Sequence, residues 1–489
     1  MEEQHVAIDM HAPTGIMEEI KMDMTSAEIT RAEEEDVATD ELQNFIKKLG
    51  EVPGEPFEAW PVTICRLPAW FHDYDKELCE PKIVSIGPYH RGKESLQAME
   101  EHKWSILRDF LARNKNVSFE VYFREMRLLE AQARECYSET VSLGSNDFVM
   151  MLLLDGSFIL EWFSKLERDQ CSDAIIFAEW VSYGIVSDLL LLENQIPFLV
   201  IHRLFVIQNK CSQNCEGLCP LLDLIYKVQT SYLDWMSFRP PKLSCSEINH
   251  WLHLCRTGVL PDIQFEREQR DLLTGKSYFR ALNKLPWSKF LLKSRAVKST
   301  SSEGPEGINI PCVTELDEAG VKFRRKREPR DMFDISFQNG ILEMPFVPID
   351  DGLKIILWNM VAFEQSQPAI PLREKTLSSY LGLMDSLINT EKDVAILVRS
   401  GIIGNYLQND EQVANFFNQF GLLFVLDYND HYLHGLYKDV KRYSESTWHK
   451  YRARLMHDYF SNPWSIISVV AAIILLILSI LQTYYSATK

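Results

Sequence analysis

The chain is expected to be mainly α with a small antiparallel β-element (α+β), plus one C-terminal transmembrane helix. Three observations predict this. Apolar residues recur at helical spacing through most of the 489 residues, one Asn339-Gly340 pair interrupts an alternating segment, and an uncharged apolar stretch closes the chain. Composition is that of an ordinary globular protein, 46% hydrophobic and 25% charged. The net charge of −18 is uneven, since residues 1–60 hold 16 acidic and 4 basic side chains. Residues 1–39 therefore read as an acidic disordered tail. An acidic chain offers no bulk charge to nucleic acid, so no nucleic-acid partner is expected. The opening MEEQHVAIDMHAPTGIMEEI has no basic n-region and no apolar h-region, so no secretory leader is expected.

An α-rich cytosolic domain is expected over 40–432. Its entry, VPGEPFEAWPVTICRLPAWF (Val52–Phe71), is rich in proline and should be extended or turning. KIVSIG (Lys82–Gly87) reads as a short strand. Helical patterns then follow over Glu94–Arg113, with Lys103 on the same face as Met99, Ile106 and Phe110, and over Phe119–Tyr137. Asp147–Leu166 is apolar almost all round, which suits a central helix. Ser187–Phe205 is a buried helix broken at Glu193, Asn194 and Pro197, and Ile248–Leu254 is a further helical patch. A flexible loop is expected near 298–307, KSTSSEGPEG. MFDISFQNGILEMPFVPID should form a hairpin about Asn339-Gly340. Helices resume at Gly352–Phe363, Leu377–Ile388, Glu391–Gly401 and Glu411–Phe420.

Residues 433–460 form a juxtamembrane amphipathic segment carrying Lys441, Arg442, Lys450, Arg452 and Arg454. Ser461–Thr488 carries no charge, and Trp464 and Tyr484 lie 20 residues apart, about 30 Å along a helix. The expected span is 464–484, with Trp464, Tyr484 and Tyr485 at the membrane interfaces and 485–489 as a short tail. Basic residues upstream and only Lys489 downstream orient the body to the cytosol. The expectation is a tail-anchored, single-pass protein of the plasma membrane or an endomembrane, with membrane lipid as one partner. The ten cysteines should then stay reduced, and the sequon Asn116-Val117-Ser118 unmodified.

Several motifs approach known chemistry. Gly87-Pro-Tyr-His-Arg-Gly92-Lys93 has the spacing of a phosphate loop. Pro88 has no N–H to offer, however, and Glu94 stands where a hydroxyl should hold magnesium, so an ordered turn is the expected role. Cys211-x3-Cys215-x3-Cys219 could make a thiolate clip, with Cys245, His250, His253 or Cys255 as a further ligand. The plainer reading is a surface loop followed by a helix whose histidines point to solvent or hydrogen-bond locally, and no metal or other cofactor is expected. Asp155, Asp188, Glu193 and Glu364 are the acids most deeply set in apolar surroundings. They suit acid–base work or, more simply, caps and hydrogen-bond partners in a helical core. Lys322–Arg330 is basic and reads as a solvated strand end or a contact with anionic lipid. No catalytic residue is assigned.

PKIVSIGPYHRGK (Pro81–Lys93), MMLLLDGSFILEWF (Met150–Phe163) and DLLLLENQIPFLVI (Asp188–Ile201) open a series that continues through TELDEAGVKF (Thr314–Phe323), LWNMVAFEQ (Leu357–Gln365) and MDSLINTEKDVAILVRSGII (Met384–Ile403). In that order they resemble the plant domain-of-unknown-function 247 family, from about Trp60 to the C-terminal stretch. The resemblance implies a plant protein, mainly helical, with a C-terminal membrane helix and no established catalytic activity. Some grass members are associated with pollen-side self-incompatibility. Arg91 stands where the family often has a second histidine, which weakens any double-histidine role. The expected function is non-enzymatic recognition or signalling through protein–protein contacts, with partners not identified by the sequence. The alternative is an enzyme using the buried acids or the Gly87–Lys93 turn.

Overall fold

The computed structural model describes residues 62–168, 176–210, 219–233, 236, 238–240, 243–261, 310–368, 370–421, 426, 431–446 and 463–487. The expected acidic tail (1–39), the loop at 298–307 and the stretch 447–460 of the amphipathic segment lie outside them.

Helices α1 (Ala69–Tyr74), α2 (Gln97–Arg113), α3 (Phe119–Glu135) and α4 (Ser145–Glu167) come first. They are followed by α5 (Glu179–Leu189), α6 (Phe198–Asn209), α7 (Pro220–Leu233), α8 (Trp251–Val259) and α9 (Val313–Glu318). Strands β1 (Lys322–Arg325), β2 (Ser336–Gln338), β3 (Ile341–Met344) and β4 (Val347–Ile349) form the next group. The chain then runs through α10 (Asp351–Ser366), α11 (Thr376–Leu387), α12 (Glu391–Arg399), β5 (Ile403–Asn405), α13 (Asp410–Phe420), α14 (His434–Glu445) and α15 (Pro463–Ala487).

The apolar-all-round helix is central, as its pattern requires. α4 packs against α2, α3, α6 and α7 and buries Phe148, Leu152, Phe158 and Trp162. The break read at Glu193–Pro197 separates α5 from α6. There Pro197 leads into α6, and the Asn194 and Gln195 side chains take the carbonyls freed at the end of α5. α7 and α9 had no distinct signal in the pattern. Ala69–Tyr74 forms a helix within a stretch expected to be extended, because Pro68 sits at its N-cap, where no amide is needed.

The hairpin forms at Asn339-Gly340, both with positive φ (52° and 78°), as a primed two-residue turn requires. β2 and β3 pair antiparallel, as expected, but β1 adds to β3 in parallel and β4 pairs with β5 in parallel. The β-element is therefore mixed. β5 is three residues long, too short for alternation to announce it. Lys82–Gly87 is not a strand: it bends at Lys82, Ile83 and Gly87 and joins no ladder among the described residues.

A second correction concerns the C-terminus. α15 has a 25-residue backbone. Among the described residues no helix is long and apolar enough to cross a membrane. The expected transmembrane helix is corrected accordingly, and with it the single-pass, tail-anchored topology and the membrane localisation. The interface reading of Trp464, Tyr484 and Tyr485 loses the span it was to flank. Tyr484 is exposed on α15, and the side chains of the other two lie outside the described set. The start of the amphipathic segment folds onto the body: α14 buries Tyr437 and Val440, and Tyr443 stacks edge-on against Phe337 of β2.

Candidate functional site

The four acids singled out in the sequence are all buried, and each is committed to its own structural partners. Asp188, at the end of α5, accepts the backbone N–H groups of Lys82 (2.9 Å), Ile83 (2.6 Å) and Val84 (2.8 Å). Burial pushes its carboxyl up to about 6, against the pull of those three amides. Asn194 accepts from Ile86 N–H at 2.7 Å, and Asp155 on α4 accepts from Gly87 N–H at 2.8 Å. The whole Lys82–Gly87 segment is thus held by side chains in place of a neighbouring strand.

Asp155 also pairs with Lys103, fully buried on α2, at 2.7 Å. Lys103 reaches Glu100 at 2.5 Å and donates to the carbonyl of Ser85. This explains a lysine on an apolar helix face: it closes a network around two buried charges. Burial raises the Asp155 carboxyl, and Lys103 opposes the rise.

Glu193 takes a different set of partners. Its Oε1 accepts from Leu67 N–H (2.7 Å) and faces His72 Nε2 (2.9 Å), while Oε2 lies 3.6 Å from His90 and 3.8 Å from Arg66. Burial, reinforced by the charges of Lys93 and Arg66, pulls His90 down to about 3, so it is neutral at ordinary pH. Glu364 on α10 accepts Ser378 N–H (2.9 Å) and Oγ–H (2.7 Å) at the start of α11 and pairs with Arg256 of α8. It ties three helices together. Asn359 does similar work, donating to Leu78 O and accepting from Leu192 N–H.

The Gly87–Lys93 turn is equally occupied. Gly87 has φ +78°, and a Cβ there would lie 2.3 Å from Gln195 O. Lys93 pairs with Glu80 at 3.2 Å and Arg91 with Glu100 at 3.3 Å, so both cations are taken up locally. The basic run is largely compensated as well, with Arg324 on Glu343 at 2.8 Å and Lys326 on Asp334 at 2.7 Å.

One feature was not legible as a site and another only in part. The first is a cleft of about 430 Å³ between the start of α10 and the β5–α13 junction, lined in part by Asp75, Asp351, Lys354, Tyr406, Gln412 and Phe416. None of the four buried acids lines it. Tyr406 is 67% exposed at the cleft. Trp180 on α5 is 72% exposed, and Tyr183, one turn on, lies against Gly352 beside Asp351. Tyr183 and Tyr406 thus both lie near the first turn of α10.

The second is a cluster of His202, Cys219 and Cys245. Cys211 and Cys215, from the expected clip, lie outside the described residues. Hydrogen bonds from Cys245, from His202 and from the Leu221 and Leu222 amides hold the Cys219 thiol below its ordinary value. The other candidates are used elsewhere. His250 Nε2–H donates to Thr63 O (3.1 Å) while its Nδ1 accepts His253 N–H, capping α8, and His253 Nδ1 accepts Asn249 N–H. Cys255 is fully buried, which raises its thiol.

A family profile described as a plant protein of unknown function, DUF247, matches residues 64–478. The UPF0481 protein At3g47200 of Arabidopsis thaliana is 29% identical over 429 residues, covering 86% of this chain and 85% of its own length. The UPF0481 protein At3g02645 of the same plant is 23% identical over 500 residues, covering 89% of this chain and 92% of its own. No solved structure matches the chain.

Proposed function

We propose that the chain, which belongs to the DUF247 family of plant proteins of unknown function, is a non-enzymatic recognition or signalling module that works through protein–protein contact. The observation that carries this reading is a set of exposed aromatics, Tyr406 lining the polar cleft at the start of α10, Tyr183 against Gly352 of the same helix turn, and Trp180 one turn before Tyr183 on α5. Tyrosine and tryptophan are the side chains most often found as anchors where proteins bind one another. The Asp351–Lys354 pair, 2.7 Å apart at the cleft edge, supplies both charges for a polar rim.

The enzyme reading draws on the buried acids or the Gly87–Lys93 turn, but none of these acids lines the cleft, and Glu193 and His90 of the turn are buried beside Leu67. The likeness to grass proteins associated with pollen self-incompatibility makes recognition between pollen and stigma the first process in which to seek the partner.

The test is proximity labelling in plant tissue with the full chain and with a Trp180→Ser/Tyr406→Ser variant. A defined set of proteins should be labelled by the first and lost from the second, with both equally abundant. Identical labelling by the two would overturn the assignment of this surface. Turnover of a small molecule abolished by Glu193→Gln would overturn the non-enzymatic reading.

A further inference from the structure

His202, Cys219 and Cys245 come from three separate places in the fold, yet their ligand atoms all lie within 4.8 Å of one another. His202 is on α6, Cys219 immediately precedes Pro220 of α7, and Cys245 is in the segment that leads to α8. Neither thiol is in a disulfide. Cys219 is buried, and the amides of Leu221 and Leu222 point at its sulfur from the first turn of α7.

Two sulfurs and an imidazole form a soft donor set that suits zinc and ill suits magnesium or calcium. In a tetrahedral zinc site, Zn–S of about 2.3 Å and Zn–N of about 2.0 Å give ligand-to-ligand edges of roughly 3.4–3.8 Å. Closing from the observed spacing needs side-chain shifts of about 1 Å or less. The backbone N–H groups on Cys219 are the outer-shell donors that thiolate ligands commonly have.

We propose that His202, Cys219 and Cys245 bind one zinc ion, which clips α6, the start of α7 and the segment ahead of α8 together. A water or a further donor takes the fourth position. Binding releases the thiol protons to solvent, so affinity should rise with pH through the range in which the thiols ionise. The proposal is independent of the aromatic surface and goes beyond the recognition role.

Full-length chain purified without chelator should carry one zinc ion per molecule by elemental mass spectrometry. His202→Ala, Cys219→Ser and Cys245→Ser should each weaken zinc binding by about tenfold or more. Cys136→Ser, at a buried cysteine outside the cluster, should not. Should a variant fail to fold, the wild-type chain still decides. Cys219 and Cys245 should resist alkylation until a strong chelator is added and then react together, whereas a cobalt-loaded sample should show thiolate-to-metal charge-transfer absorption. Substoichiometric metal, zinc retained by the variants, alkylation unaffected by chelation, or a Cys219–Cys245 disulfide in peptide maps would each overturn the proposal.

Discussion

Lys82–Gly87 and Ile341–Met344 are both short non-helical segments, and they satisfy their backbones in opposite ways. β3 has a strand on each side, so its partners are other backbones, parallel β1 and antiparallel β2. Lys82–Gly87 has no strand beside it, and its amides end on Asp188, Asn194 and Asp155. A ladder distributes its load over many equivalent bonds and tolerates side-chain change. A segment held by three side chains concentrates it, because each side chain serves buried donors that nothing else can reach. The two family-like motifs around Asp155 and Asp188 are thus stabilising anchors for a third, Pro81–Lys93.

The largest effect that would sharpen this contrast comes from Lys103→Met. It leaves Asp155 buried without its cation, at a cost of about 3–5 kcal/mol at neutral pH. The pH dependence has a definite sign. The Asp155 carboxyl is already raised by burial, and without Lys103 it should rise further. A raised acid stabilises the fold while protonated and loses that contribution as pH rises through its folded value. The variant should therefore regain stability relative to wild type as pH falls, and an unchanging gap across pH would contradict the network.

Asp188→Ala comes next. The Lys82, Ile83 and Val84 amides lose their acceptor, and since only the Val84 bond is fully buried the loss should be roughly 2 kcal/mol or more. Chemical denaturation of the full chain should show it; a loss below about 1 kcal/mol would break the comparison.

The ladder side should respond less. Gly340→Ala meets the positive φ of 78° and the Tyr443 ring, for a cost of about 1–2 kcal/mol. Differential scanning calorimetry should show a melting temperature lowered by a few degrees with unchanged helix content.

Smallest is Asp334, beside the hairpin. Burial alone would raise its carboxyl, but Arg330 and Lys326 outweigh burial and bring it down to about 2. A depressed acid stabilises the fold above its unfolded value, near 3.9, and that contribution disappears as pH falls towards 2. Asp334→Asn should flatten this part of the acid-unfolding curve, by less than about 1 kcal/mol for a pair this close to solvent.

The same contrast explains what the sequence disclosed. Asn339-Gly340 specified its turn locally, so the hairpin was legible. The apolar periodicity of α4, and the break at Glu193–Pro197, were legible for the same reason. KIVSIG read as a short strand because its sequence carried no information about what would bond its backbone, and carboxylates and an amide stand in where a strand was expected. The parallel partners β1 and β5 were hidden because pairing across 19 residues or more leaves no local trace. The acids were recognised as buried, but their role depended on distant partners such as Lys82–Val84 for Asp188. The metal cluster was half legible: cysteine spacing drew attention to Cys219 and Cys245, while His202, on an apolar helix, carried no signal. The C-terminal apolar run suggested a span that the described residues do not provide.

Amide hydrogen exchange on Lys82–Gly87 tests the central claim most directly. In the wild-type chain Ile83, Val84, Ile86 and Gly87 should be protected as strongly as the β3 amides, although no strand covers them. Asp188→Ala removes both acceptor oxygens, Oδ1 for Lys82 and Oδ2 for Ile83 and Val84. It should speed exchange at Ile83 and Val84 by about tenfold or more, equivalent to about 1.4 kcal/mol, and leave Leu342 unchanged. Fast exchange throughout Lys82–Gly87 in the wild type, or protection at Ile83 and Val84 indifferent to the substitution, would contradict it.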